Sequence, residues 1–368
     1  MKCFRVLLLS AVVLGCGKSS VETPTMQPTN QKAIKGPTEI DGEGRPEPDG
    51  PRFWVREAAF SPDNKFLLTA YDYDGRIEDR HRFPKTASLW EVGTGREIWS
   101  LKASDLNVIG FAFIPDGKQI LITDDDGVKV LDAANGKLTR SFAKNKRPIR
   151  CVAVSPDGTL ALTGDMGNAT IGSELLLWDV DSGKPIQMLQ SGNFGQVLFS
   201  QDGKLMLACG GTIEVWSVAK RELLVLLPVT DGWCGPIALA PDGTLAVAVK
   251  RLEPTTGSAL LLWESTTGKV LRSVLKDDVI NVVFTADGKG LLTCNPIGPQ
   301  LALLDVATGA ELWTVKPESI DCCTFSTDGK LAFTSAGKFM DEAELRKYLT
   351  IWDAVNGKRV RSLGDKDP

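Results

Sequence analysis

SPDGTLALTGDMGNATIGSELLLWDVDSGK, residues 155–184, is one copy of a unit that the chain writes seven times. It opens on a Ser-Pro-Asp-Gly turn, passes through one short apolar run, and reaches a second run ending in Trp178-Asp179. It closes on a Ser-Gly-Lys turn. The other opening turns read SPDN, IPDG, SQDG, APDG, TADG and STDG, so seven aspartates mark the repeat: Asp63, Asp116, Asp157, Asp202, Asp242, Asp287 and Asp328. Their spacing, roughly 40–50 residues, is the period of a four-stranded propeller blade. The remaining second runs end at Trp90-Glu91, Leu131-Asp132, Trp216-Ser217, Trp263-Glu264, Leu304-Asp305 and Trp352-Asp353. The expected fold is all-β: a seven-bladed β-propeller of four-stranded antiparallel blades.

Apolar columns upstream of each turn support this register. Ala58, Phe111, Val152, Val197, Ile237, Val282 and Cys323 occupy one column. Phe60, Phe113, Val154, Phe199, Leu239, Phe284 and Phe325 occupy another, two residues on. Residues two apart point to one face of a strand, so these columns predict its buried side. A third column, further upstream, runs Val55, Val108, Ile149, Phe194, Cys234, Val279 and Ile320. A fourth strand is expected after Gly95, Gly136, Gly183, Gly268, Gly309 and Gly357.

Strand, SPDG turn, strand, strand ending Trp-Asp, Thr-Gly turn and strand together resemble the WD40-repeat family in its looser bacterial form, over residues 52–364. The resemblance implies a propeller that binds proteins, and no catalytic residue, cofactor or metal is expected, since the chain holds no Gly-rich phosphate loop, G-x-S-x-G elbow, H-E-x-x-H or paired C-x-x-C. The family's Gly-His dipeptide is missing from every repeat, and His81 is the single histidine. The buried Asp-His-Ser/Thr-Trp network of eukaryotic members is therefore not expected, and blade cohesion is expected to rest on apolar packing.

The amino terminus carries a different signal. Lys2 and Arg5 precede the apolar run Val6 to Leu14, and Gly15-Cys16 follows. This order describes a secretory leader, with a core far short of the roughly 20 residues that a spanning helix needs. Val13-Leu14-Gly15-Cys16 resembles a bacterial lipobox, which implies diacylglycerol on Cys16 and an extracytoplasmic, lipid-anchored protein on the periplasmic or cell-surface side. Residues 1–15 are then the leader. Residues 16–51 form a Pro-rich tether too poor in apolar residues to offset ordering entropy. Such a tether reaches on the order of 30 Å. Residues 365–368 are a short tail.

Net charge is −4 with 24% charged residues, and no stretch interleaves Lys and Arg with aromatics, so nucleic acid is not an expected partner. Recognition is expected on the loops between second and third strands, which share the top rim in the family's geometry and are longest near 71–87, 164–173, 250–258 and 336–348. Blades 7 and 1 adjoin in a closed ring. Their loops bring together Tyr71, Tyr73, Arg76, His81, Phe83, Phe339, Met340, Arg346 and Tyr348, the residue types that interface cores favour. The expected assembly is a monomer bound to a protein partner.

Other apparent sites weaken on inspection. YDYDGRIED, residues 71–79, lacks the ligand spacing of a calcium loop. Asp124-Asp125-Asp126-Gly127 reads as a plain Asp-Gly turn. An oxidising compartment would permit bonds between Cys209 and Cys234 or between Cys294 and Cys322. Whether their Cα atoms come within about 7 Å is left open by the sequence. Two function classes remain. The favoured one is a membrane-tethered, non-enzymatic interaction scaffold. The alternative is a quinoprotein-type propeller, either a PQQ-dependent dehydrogenase or an outer-membrane assembly lipoprotein, suggested by LLDVATGAELW and by Trp99 and Trp313 after two of the Gly turns.

Overall fold

The computed structural model describes residues 52–74, 86–102, 106, 108–142, 148–165, 174–191, 194–228, 234–251, 257–277, 279–295, 300–317, 319–337 and 342–364. These form seven four-stranded sheets, each built from four consecutive antiparallel strands. The first strands, among them Arg52–Phe60, Ile149–Val154 and Cys322–Phe325, lie side by side around the centre. Each blade then runs outward. The seven-bladed propeller read from the repeat is thus the fold. In blade 3 the register is Ala161 opposite Val154 on one side and opposite Trp178 on the other. Among the described residues one helix interrupts this pattern, Glu342–Tyr348, in the rim connection of blade 7 where a loop was expected.

The recurring turn residues are a hydrogen-bonding device. Asp157 Oδ1 accepts from Ser155 Oγ at 2.6 Å and from the Thr159 amide at 3.0 Å, while Ser155 Oγ accepts from the Leu160 amide at 2.9 Å. The same set recurs at Asp63, Asp202, Asp287 and Asp328. These bonds hold the carboxyls below their usual range; in Asp202 they outweigh a desolvation that pulls the other way, giving about 2. The second turn repeats the chemistry: Asp179 Oδ1 accepts from the Ser182 amide and hydroxyl. The acids that mark the repeat are therefore consumed in shaping it.

Left-handed backbone explains the glycines of both turns. Gly158 has φ +76°, and its position leaves a Cβ in ordinary contact with Ile114, so only the backbone conformation demands glycine there. Blade 4 lacks the second glycine, and Arg221 takes its place at φ 57°. Arg221→Gly should raise stability by about 1 kcal/mol, and Gly158→Val should lower it by about 1–3 kcal/mol. Urea unfolding measures both, and unchanged midpoints would refute this account of the turns.

Apolar packing alone does not hold the blades, contrary to the expectation drawn from the missing histidines. Trp90, Trp178 and Trp352 donate their Nε1 protons to Thr69, Thr163 and Thr334 at 3.0, 2.7 and 2.7 Å. The Thr-Trp limb of the network survives because the pleat sets Thr on the second strand diagonally beside Trp on the third, with no His required. Trp216 uses Glu214 Oε2 instead, at 3.1 Å. In blade 5 the threonine position is Ala248, in the same register, and the buried Trp263 Nε1 has no partner. Ala248→Ser should supply one and stabilise by about 1 kcal/mol, whereas Thr163→Val should cost about 1–3 kcal/mol by orphaning Trp178. Thermal melts of the two variants should shift in opposite directions; a shared direction would count against this pairing.

Between the blades lie seven apolar seams, one per neighbouring pair. Each takes side chains from facing sheets, as where Leu207 and Val215 of blade 4 meet Ala246 and Trp263 of blade 5. A polar clasp closes the outer end of several seams. Trp99 Nε1 donates to Ala133 O of the next blade at 2.8 Å, and Arg140 and Arg272 donate to Asp181 O and Ala307 O from the same position after the Gly turn. The ring closes the same way. Phe60, Tyr71 and Trp90 of blade 1 pack on Phe333, Leu345 and Ile351 of blade 7. Thr327 binds Asn64 Oδ1, and the Gly364 amide donates to Gly95 O. Blade 7 has four strands of its own, so closure needs no exchanged strand.

Candidate functional site at the top rim and central channel

The rim sector of blades 7 and 1 differs from its sequence-based expectation at two residues. Tyr71 lies within the strand Phe66–Asp74, opposite Val55, and strand alternation turns it inward. It is 5% exposed, and its hydroxyl shares a hydrogen bond with Thr69 Oγ1 at 2.9 Å. Burial raises its pKa to about 12. Tyr71 therefore belongs to the seam and not to a contact surface.

Arg346 is likewise engaged. It forms an ion pair with Glu97 at 2.9 Å and its guanidinium lies 5.4 Å from the centre of the Trp90 ring, so it fastens the blade 7 helix to blade 1. Leu345, the preceding residue, is buried in the same seam. Helix spacing puts adjacent residues on different faces, and Tyr348 emerges 38% exposed at the helix end. Tyr73 has its side chain outside the described residues, and Arg76, His81, Phe83, Phe339 and Met340 fall outside them altogether, as does Cys16.

A column that the apolar reading passed over runs along the first strands, and its Glu57, Gln196, Asn281 and Cys322 line a central cavity. The first strands carry Glu57, Cys151, Gln196, Asn281 and Cys322 at one register position, six residues before each turn aspartate. A cavity of about 460 Å³ opens among five of these strands. Several of its polar groups stitch neighbouring blades. Arg56, the extra residue of a β-bulge, donates to Val108 O at 3.0 Å. Gln196 Oε1 accepts from the Ile237 amide at 2.8 Å, and Asn281 Nδ2 donates to Cys323 O at 2.6 Å. The alternation of apolar and variable residues in the first strands was the available signal.

Cysteine pairing resolves differently in the two candidate places. Cys209 is disulfide-bonded, with its Sγ 3.6 Å from Gly235 O; the side chain of Cys234 lies outside the described residues. Cys294 and Cys322 are free thiols, so the second pair that the sequence left open is not bonded. Cys322 faces the blade 1 seam, and it is Cys323, on the opposite strand face, that meets Cys294. Burial pushes the Cys151 thiol up to about 12 and raises those of Cys322 and Cys323 as well, which makes all three poor nucleophiles. Among the described residues no three His, Cys, Asp or Glu side chains are placed to hold a metal ion.

Glu57 is the one channel acid with a large shift. Burial raises its pKa from 4.5 to about 7, against the lowering influence of Arg56. A carboxyl raised on folding favours the folded state while protonated. That advantage is complete below the unfolded value and is lost as pH rises through the folded one. Glu57→Gln should therefore melt with the wild type at pH 4 and above it at pH 8. A variant melting below the wild type at pH 8 would show that the charged form is the stabilising one.

Two segments, residues 47–78 and 136–172, match the model of the WD domain, G-beta repeat. The chain is 26% identical to the human angio-associated migratory cell protein, over 89% of this chain and 78% of that one. It is 31% identical to a WD repeat-containing protein of Synechocystis sp., over 24% of this chain and 25% of that one. Among solved structures, Kuenenia stuttgartiensis hydrazine synthase aligns with a TM-score of 0.56 and 19% identity, covering 68% of this chain and 78% of that one. That last likeness is one of fold alone. The chain thus matches the WD repeat in those two segments and is similar to a WD repeat-containing protein over about a quarter of its length.

Proposed function

We propose that this chain is a WD40-type propeller acting as a non-enzymatic protein-interaction scaffold, held at a bacterial membrane by diacylglycerol on Cys16. One observation carries the reading. Chemistry-bearing residues that recur in the blades are spent on turns, Trp-Thr pairs and clasps, while the differences between blades gather in the channel and on the rim. A scaffold of equivalent blades with unequal edges suits recognition. The leader, the lipobox-like tetrad and the Pro-rich stretch to residue 51 support tethering.

The quinoprotein reading has one observation in its favour. Trp99 stacks against the Gly136 turn and Trp313 against the Gly357 turn, each on the next blade. Arg140 and Arg272 make the same reach from the equivalent position, so the tryptophans are one form of a general clasp.

Affinity capture from detergent-solubilised membranes tests the scaffold. Replacing residues 75–85 by a Gly-Asn turn should leave the fold intact, since loop length costs little. The helix must stay, because Leu345 and Arg346 close the ring. The shortened protein, with Tyr348→Ala added, should lose its dominant partner. Undiminished capture would move the surface elsewhere. Cys16→Ser should abolish palmitate labelling and partition into the aqueous phase; an unlabelled wild type would remove the anchor.

A further inference from the structure

At the rim between blades 6 and 7 lies a crevice of about 350 Å³. Lys316 enters it from the connection after the last strand of blade 6, Glu311–Val315. Lys347 enters from the helix Glu342–Tyr348, and Arg359 from the last strand of blade 7, Arg359–Ser362. All three are exposed. Arg359 donates to Ser362 Oγ, and no described acid lines the crevice. Several other cations of this chain are answered by carboxylates: Lys65 by Asp63, Lys129 by Asp124, Lys204 by Asp202, Lys330 by Asp328 and Arg346 by Glu97. The protein as a whole is acidic, with net charge −4. Three like charges converging on one crevice raise its potential and favour a counter-charge from outside.

The walls narrow the ligand class. Tyr348 and Trp352 flank the crevice beside Pro317, and Trp352 Nε1 is committed to Thr334, which leaves its ring as apolar surface. We infer that the crevice docks an acidic peptide segment of a partner protein, its carboxylates meeting Lys316, Lys347 and Arg359 and an apolar side chain meeting the aromatic flank. A single inorganic anion would leave most of the volume and both rings unused. Lysine ammonium groups on flexible stems suit carboxylates spread along a chain better than one bidentate group. The inference rests on the scaffold reading and adds the chemistry of its partner.

Fluorescence anisotropy with a fluorescein-labelled peptide rich in Glu and Asp and containing one Leu tests this on the full chain. Wild type should bind, and more weakly as salt screens the attraction. Lys316→Ala with Lys347→Ala should weaken binding by roughly tenfold, the scale expected when two solvent-facing ion pairs are removed together. Its thermal melt should match the wild type, and Lys220→Ala, in blade 4, should bind normally. Equal binding by the double variant, or by a Gln-Asn version of the peptide, would overturn the inference. Competition by inorganic phosphate as strong as by unlabelled peptide would overturn it in favour of a small-anion site. Partner capture that survives in the double variant refutes the crevice and leaves the scaffold standing; no capture by the wild type sinks the scaffold whatever the peptide does.

Discussion

Everything in this molecule depends on one constraint: a blade has two apolar faces and can bury them only against its neighbours. A four-stranded sheet with Leu207 and Val215 on one side and Met206 and Ala208 on the other has no stable form alone. Seven such sheets in a ring satisfy one another, and the last seam, between blades 7 and 1, is as apolar as the rest. Ring closure is therefore a packing event, reinforced by Arg346 on Glu97 and Trp90 and by Thr327 on Asn64.

Polar residues follow from that arrangement. Packing between faces leaves turn amides, indole protons and strand-end carbonyls to be satisfied one by one. The Ser-x-Asp turn does this for the inner hairpin and the Asp-x-x-Thr turn for the outer one. Thr answers Trp inside the sheet, and Trp or Arg reaches a carbonyl across the seam. Where a substitution breaks the pattern, the structure shows the gap, as at Trp263 beside Ala248 and at Arg221 in a glycine conformation. Blades 4 and 5 thus carry these two departures, blades 2 and 6 hold Leu131 and Leu304 in the Trp position, and blade 3 keeps the whole pattern.

Variation is displaced to positions that the repeat does not govern. On the first strands, one register position holds Glu57, Cys151, Gln196, Asn281 and Cys322, beside a following column that is apolar throughout. On the rim, the connection of blade 7 has condensed into a helix that faces two ways: Leu345 and Arg346 serve the ring, and Lys347 and Tyr348 face outward. One short element thus couples closure of the propeller to a surface that can be recognised, so deleting it would confound fold with binding.

The sequence by itself determined the blade count, the turn positions and the buried columns, because each rests on local spacing repeated seven times and is insensitive to how the ring closes. It also placed the rim loops of blades 7 and 1 side by side, as a consequence of closure. Only the tertiary structure decided what those residues do. Tyr71 was legible as an aromatic near a loop, but its inward direction follows from how far the strand Phe66–Asp74 extends before it ends. Arg346 reads as an interface residue until Glu97, some 250 positions earlier, is brought beside it. The same holds for Cys294, whose neighbour is Cys323 because alternation turns Cys322 to the other seam. The crevice of Lys316, Lys347 and Arg359 gathers charges from three elements of two blades, and its sign exists only once the blades are set side by side.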